Sequence, residues 1–150
     1  MTTSEFWQAF LAAAGLDKTI EYIECFHFDL TEANANVLLK LVLAGEKKAT
    51  ASSLLACERV IGRIPQVGDY SIVTDWNGDP RCVIETTAVT ILPFGEMTFD
   101  ICKREGEDDN LESWKEGHRR FFTAEGKIEG YVFSEDMLVV FEDFEVVFAR

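Results

Sequence analysis

Two long runs of β-branched and aromatic residues, RCVIETTAVTIL (Arg81 to Leu92) and LVVFEDFEVVF (Leu138 to Phe148), constrain this chain more than any other feature. Val, Ile, Thr and Phe at this density favour the pleated, half-buried surface of a sheet. Backbone N–H and C=O groups in such runs must pair with neighbouring strands. The first run follows YSIVT (Tyr70 to Thr74) through a Trp76-Asn77-Gly78-Asp79 turn, and the two are predicted to form a hairpin.

The remaining segments carry helical periodicity. Ser4 is placed to cap a first helix whose apolar positions are Phe6, Trp7, Phe10, Leu11 and Ala14, with Gly15 as its stop. This helix is expected to sit as a lid on the core, residues 1–20 forming a helical extension. Residues 21–28 (EYIECFHF) read as a short strand or extended segment. Thr31 to Ala44 is predicted as a second helix, capped by Thr31, with Val37, Leu38, Leu41 and Val42 facing the core and Gly45 ending it. A strand over Thr50 to Leu55 follows, then a loop through Gly62, Pro65 and Gly68. Thr98 to Arg104 and Leu111 to Phe122 read as helices, separated by an acidic loop from Glu105 to Asn110. The fold class is therefore α+β.

At 150 residues with 47% hydrophobic content the chain fits a single domain, residues 1–150, with enough apolar surface to offset the entropy of folding. The first residues lack the plan of a signal peptide, and Lys40 interrupts the most apolar helix, so no membrane partner and a cytoplasmic location are expected. Cys25, Cys57, Cys82 and Cys102 are widely spaced, without a C-x-x-C pair, and are expected as reduced thiols. The net charge of −13 argues against binding nucleic acid through bulk electrostatics. Residues 40–63 nevertheless hold Lys40, Lys47, Lys48, Arg59 and Arg63 against Glu46 and Glu58, a +3 window in a chain whose remainder is −16. That island reads either as a solvated face or as an anion-binding site, with Arg63 its best anion candidate.

Within the island, Gly45-Glu46-Lys47-Lys48-Ala49-Thr50-Ala51-Ser52 turns at a glycine and leads into a strand. Lysines after a helix C-terminus are accounted for by the helix dipole, and Thr50 by strand propensity. The functional alternative is a Lys amine beside a Thr hydroxyl, able to take its proton if burial or a neighbouring cation lowers the Lys pKa.

GEKKAT resembles the G-x-K-x-x-T signature of the ASCH domain, a member of the PUA-like group of small barrels. Two further stretches resemble that family: Glu105-Gly106-Glu107-Asp108-Asp109-Asn110-Leu111-Glu112-Ser113-Trp114 running on to His118 and Phe121-Phe122, and the closing LVVFEDFEVV. The resemblance spans residue 20 onward. It implies a partly open barrel of about six mixed strands surrounded by helices, with a cleft for RNA or a modified nucleoside. Some small members remove the acyl group from acetylcytidine with a Thr, Lys and Glu trio; others are described as ribonucleases or as RNA-binding modules. On this chain the trio falls on Lys47, Thr50 and Glu107, with Glu105 two positions away as an alternative carboxylate. The signature commonly carries Arg where this chain has Ser52.

The implied chemistry is amide hydrolysis with Thr50 as nucleophile, Lys47 as its base and Glu107 orienting Lys47 or shuttling protons. A non-catalytic RNA-binding or regulatory module and a ribonuclease are the alternatives. Candidate substrate contacts are Ser52, Ser53, Arg63, Trp76, Glu105, Trp114 and His118, with Trp76 expected to stack on a base. Trp114 and His118 have competing readings as a core residue and as a partner for a nearby carbonyl. Expected ligands are a nucleoside, nucleotide or short RNA. No cofactor is expected, and no metal, since the spacing of Glu105, Glu107, Asp108, Asp109 and His118 fits no loop template.

Overall fold

The computed structural model describes all 150 residues. Its frame is one mixed sheet of five strands, β1 (Glu24–Phe26), β2 (Ala49–Ser53), β3 (Tyr70–Thr74), β4 (Pro80–Pro93) and β5 (Leu138–Ala149), in the order β1-β3-β4-β5-β2. Only β1 and β3 run parallel. The two long β-branched runs are the central pair, β4 and β5, joined antiparallel with bulges at Val83/Ile84 and Thr86/Ala88. Bulges increase local twist, and the sheet curls into a half-barrel open between β1 and β2. The expected partly open barrel is thus built from five strands rather than six.

Helices α1 (Thr3–Ala14), α2 (Glu32–Leu43) and α5 (Leu111–Glu129), with the short α3 (Leu54–Ala56) and α4 (Phe99–Cys102), cover it. Alternation along the strands splits the core by face. Val73, Cys82, Ile84 and Phe144 meet Phe28, Leu39 and Val42 on the α2 side. Ile72 and Val83 meet Phe6, Trp7, Phe10 and Leu11 of α1 on the other. Ala49, Ala51, Val139 and Phe141, on that second face, meet Trp114 and Phe122 of α5.

Several local expectations change for identifiable reasons. Thr2 rather than Ser4 caps α1, because Thr2 and Glu5 form a reciprocal capping box. In α2 the buried stripe is Ala35, Leu39 and Val42, and Val37 is 56% exposed. The strand expected to reach Leu55 stops at Ser53, whose hydroxyl accepts from Ala56 N–H and starts α3, continued by a π-helical turn over Cys57–Ile61. The expected helix over 98–104 is two short turns, Phe99–Cys102 and Lys103–Glu105. Helix α5 continues to Glu129; Gly126 does not interrupt it, since a Cβ there would strike the Tyr131 carbonyl and the bare backbone is a packing requirement. All four cysteines are unpaired, and burial pushes the Cys57 and Cys82 thiols up to about 12.

Two carboxyls lie on the α2 face: Glu24, in line with Phe26, and Glu142, in line with Phe144 and paired in register with Thr50. Thr86 Oγ1 donates to Glu142 Oε2 at 3.1 Å. Burial, with mutual repulsion acting on Glu24, pushes both up to about 7 from an ordinary 4.5. The folded protein thus resists an ionisation that the unfolded chain accepts, so the stability from these groups is complete below pH 4.5 and is lost as pH rises through about 7. Glu142→Gln, which fixes the neutral form, is expected to raise Tm at pH 8 by roughly 3–8 °C and to change it little at pH 5. Thermal scans across this range check it; an equal shift at both pH values contradicts it.

Candidate functional site

The site is assembled around a lysine that ordinary surface logic would expose. Helix α2 ends at Leu43, the chain turns at Gly45, whose φ of +76° favours glycine, and it enters β2 through Lys47. Lys47 is 2% exposed. Its Nζ donates to the Ala49 carbonyl at 2.8 Å, to Glu105 Oε1 at 3.2 Å and to Glu107 Oε2 at 2.6 Å. An ammonium has three N–H donors, and here all three are taken.

Glu105 and Glu107 converge on one cation because Gly106 lies between them. Its φ is +69°, and a Cβ would come within 2.3 Å of the Glu46 carbonyl oxygen. The segment therefore presses directly against the strand entry, held by Lys48 N–H donating to the Arg104 carbonyl at 3.0 Å.

Glu105 is the anchor of the cluster. It is 1% exposed, and its Oε2 accepts from both the Trp114 indole N–H and His118 Nε2, the latter at 3.1 Å. His118 Nδ1 faces the Trp114 carbonyl at 2.8 Å, and the imidazole stacks on the Trp114 ring with centroids 4.0 Å apart. Both ring nitrogens face acceptors, an arrangement that only the doubly protonated imidazolium satisfies.

The charges shift one another accordingly. Burial alone would lower the Lys47 pKa, but Glu105 and Glu107 outweigh it and the net shift is upward. Burial would raise Glu105, yet Lys47 and His118 hold it well below the carboxylate range. His118 is likewise raised, the pull of Glu105 exceeding the cost of burial. For Glu107 the balance reverses. Burial, aided by the neighbouring Glu105 charge, outweighs Lys47 and lifts its pKa. The expected lowering of the Lys47 pKa is therefore corrected: two carboxylates hold it as an ammonium, and none of its donors reaches Thr50.

A cleft of about 470 Å³ opens above this cluster. Lys47, Thr50, Glu105, Glu107 and His118 all line it, between apolar walls from Phe28, Leu38 and Leu41 on one side and Phe121 on the other. Val37, Leu38 and Leu41, expected in the core, line the cleft instead; Val37 is exposed and the two leucines are half-buried.

The other sequence candidates fall elsewhere. Trp114 is fully buried, does not line the cleft, and acts on the site through Glu105 and His118. Trp76 packs against His27, centroids 4.8 Å apart, outside the cleft lining. Arg63 is fixed by Asp69 through two bonds of 2.8 Å, and Arg59 donates to the Glu129 carbonyl at the end of α5. The basic island thus does not converge on an anion. Ser53 is consumed as a helix cap and Ser52 does not line the cleft. Donor atoms of Glu105, Glu107 and His118 lie within 4.8 Å of one another, a spacing a divalent ion could use. The Lys47 ammonium already lies against both carboxylates, and His118 has neither nitrogen free, so the donor set does not fit a metal.

Sequence reasoning did not reach Phe28 or Gly117, which also line the cleft. Neither lies on α2, whose apolar face, wider than a buried stripe requires, was the sequence signal for the cleft wall that Leu38 and Leu41 form.

The family model described as ASCH domain matches residues 24–148. The chain belongs to the ASCH domain family. A crystal structure of an ASCH domain from Lactobacillus crispatus is 36% identical and superposes with a TM-score of 0.83, over 96% of this chain and 92% of that one. A protein from Enterococcus faecalis is 34% identical with a TM-score of 0.85, over 95% and 86% of the two chains. A hypothetical protein at 20% identity and a TM-score of 0.51 shares the fold alone. No curated protein matches the chain. At a coarse level ASCH membership describes a PUA-like module of the RNA-binding kind. No helix is long and apolar enough to cross a membrane.

The network predicts a specific response to Glu105→Gln. Its carboxylate stabilises the fold above pH about 4.5, a contribution lost as pH falls; the raised His118 contributes below pH about 6.5, and that is lost as pH rises through its folded value. Removing the shared anion leaves His118 without its carboxylate and Lys47 with Glu107 as its one carboxylate partner, and is expected to destabilise by about 3–5 kcal/mol at neutral pH. NMR titration of His118 in the variant should show its midpoint displaced downward. An unmoved midpoint would separate His118 from Glu105.

Proposed function

We propose that the cleft binds a nucleoside-sized ligand and hydrolyses the exocyclic amide of an acylated cytidine. The observation that carries this reading is the shared floor: a buried ammonium fixed between two carboxylates, with the Thr50 hydroxyl lining the same cleft. Apolar walls above a polar floor suit a planar ring with hydrogen-bonding edges, and the volume lies in the range of small-molecule sites. The charge of −13 favours a nucleoside over a long polyanion.

The electrostatics redistribute the roles expected from sequence. Lys47 stays protonated and supplies positive charge at the floor. Glu107 spends Oε2 on Lys47 and keeps Oε1 for chemistry; its raised pKa suits a group that both accepts and returns a proton. In the proposed reaction Thr50 Oγ attacks the amide carbon and its proton passes to Glu107. The tetrahedral adduct collapses as the C–N bond breaks, and Glu107 delivers that proton to the leaving amine. Water then attacks the acyl-threonine ester, again losing a proton to Glu107; the bond from the acyl carbon to Thr50 Oγ breaks, Glu107 returns that proton to Oγ, and the acid is released.

A second reading is supported by the same cluster. All three Lys47 donors close on the protein, as a binding module with a rigid floor would also require. Chromatographic assay of acylated cytidines distinguishes the two. Turnover is expected with the native protein, falling at least 100-fold in Thr50→Ala at unchanged Tm and partly returning in Thr50→Ser; Glu107→Gln should also abolish it. Absent turnover with retained oligonucleotide binding supports the module, and cleavage of RNA chains supports a ribonuclease.

A further inference from the structure

Helix α5 carries two interior glycines, and only one is explained by packing. Gly126 lies against the Tyr131 backbone, where a Cβ would come within 2.3 Å of the carbonyl oxygen. Gly117 is different. It is the seventh of 19 residues in the helix, its φ is not in the left-handed region, and a Cβ added there would meet nothing within 4 Å. A glycine in a helix interior is less favourable than alanine by close to the largest amount for any residue but proline. Nothing in the fold recovers that loss.

The open space beside Gly117 is the cleft. Gly117 lines it together with His118, Arg120, Phe121 and Ala124 from the same helix, and the Arg120 guanidinium donates to Glu116 at 3.0 Å. Phe121 and Ala124 are four and seven residues on, so they share the Gly117 face. The result is a notch in the α5 wall, bounded by the Phe121 ring and by His118, opposite Phe28, Leu38 and Leu41. Helix N–H and C=O groups at Gly117 are engaged within the helix, so Gly117 itself offers shape and apolar contact rather than hydrogen bonds.

We infer that Gly117 is a specificity-determining position, kept free of a side chain so that the flat ring of a nucleobase can lie against the α5 backbone beside Phe121. The inference rests on the nucleoside reading of the cleft and deepens it: the ligand it selects is planar at this point, with no substituent rising from the ring face that meets α5. A Cβ added there comes within 4 Å of no atom of Lys47, Glu105 or Glu107.

Stability and binding should therefore move in opposite directions. Gly117→Ala is expected to raise Tm by about 2–4 °C while weakening acetylcytidine and cytidine binding about tenfold by calorimetry. Gly117→Leu should weaken binding further and still fold. If the native protein binds both nucleosides and Gly117→Ala binds them equally well at a higher Tm, the inference is overturned and the nucleoside reading stands. If the native protein binds neither, the nucleoside reading fails and this inference with it. A fall in Tm for Gly117→Ala also overturns it, since the glycine would then have a packing role.

Discussion

The architecture of the site depends on one buried ammonium. Lys47 reaches Glu105 and Glu107 across 58 and 60 residues of sequence, joining the entry of β2 to the turn before α5. Burying a lysine without partners would drive its proton off, and burying Glu105 without partners would drive a proton on. Together they stay charged, and the remaining valences of Glu105 are filled by Trp114 and His118. Each partner restricts the next: the Trp114 carbonyl fixes the imidazole, the imidazole fixes the carboxylate, and the carboxylate fixes the ammonium.

An ion cluster of this kind is weak evidence for stability. Desolvation offsets most of the attraction, and a well-packed apolar set of the same volume is often as stable. Its retention in a core otherwise rich in Phe, Val and Leu points to use rather than cohesion. Lys47 lies 5.3 Å over the Phe28 ring, so even its apolar surroundings are arranged to tolerate charge. The members also differ in a way that cohesion alone would not require. Glu105 is sealed and held ionised, whereas Glu107 keeps 19% of its side chain exposed and is biased toward the acid. Two carboxylates of similar sequence context thus acquire different proton affinities from position alone.

Much of this was legible in the amino-acid sequence because its signals are local. The β-branched runs specify β4 and β5, Thr31 specifies the start of α2, and GEKKAT with EGE-x-D specifies the segments that meet. What was not legible depends on which groups become neighbours after folding. Nothing in GEKKAT states that Lys47 will face two carboxylates, and the sign of its pKa shift follows from that fact. Arg63 looked free because Asp69, six residues away, has no sequence mark as its partner. Trp76 looked available to a base because His27, the residue after β1, is brought to it only when β1 pairs with β3. Val37 and Leu41 matched a core stripe because periodicity cannot tell a helix face that meets protein from one that meets a cleft.

The position of the cleft follows from topology. Helix α2 covers one face of the sheet and α5 the other, so their side chains can approach each other only beyond an edge strand. At the β1 end the sheet offers Glu24 to Phe26, three residues long. At the opposite end β2 pairs with β5 on one side and leaves its other side open. The turn containing Arg104, Glu105 and Glu107 docks at the entry to this strand, where Lys48 N–H donates to the Arg104 carbonyl and Lys47 Nζ to the Ala49 carbonyl. The segment that meets the start of the edge strand is therefore the one that carries the carboxylates. Its close approach at Gly106, against the Glu46 carbonyl, brings both carboxylates to Lys47. Anchoring the strand entry and constructing the site are two consequences of the same contact.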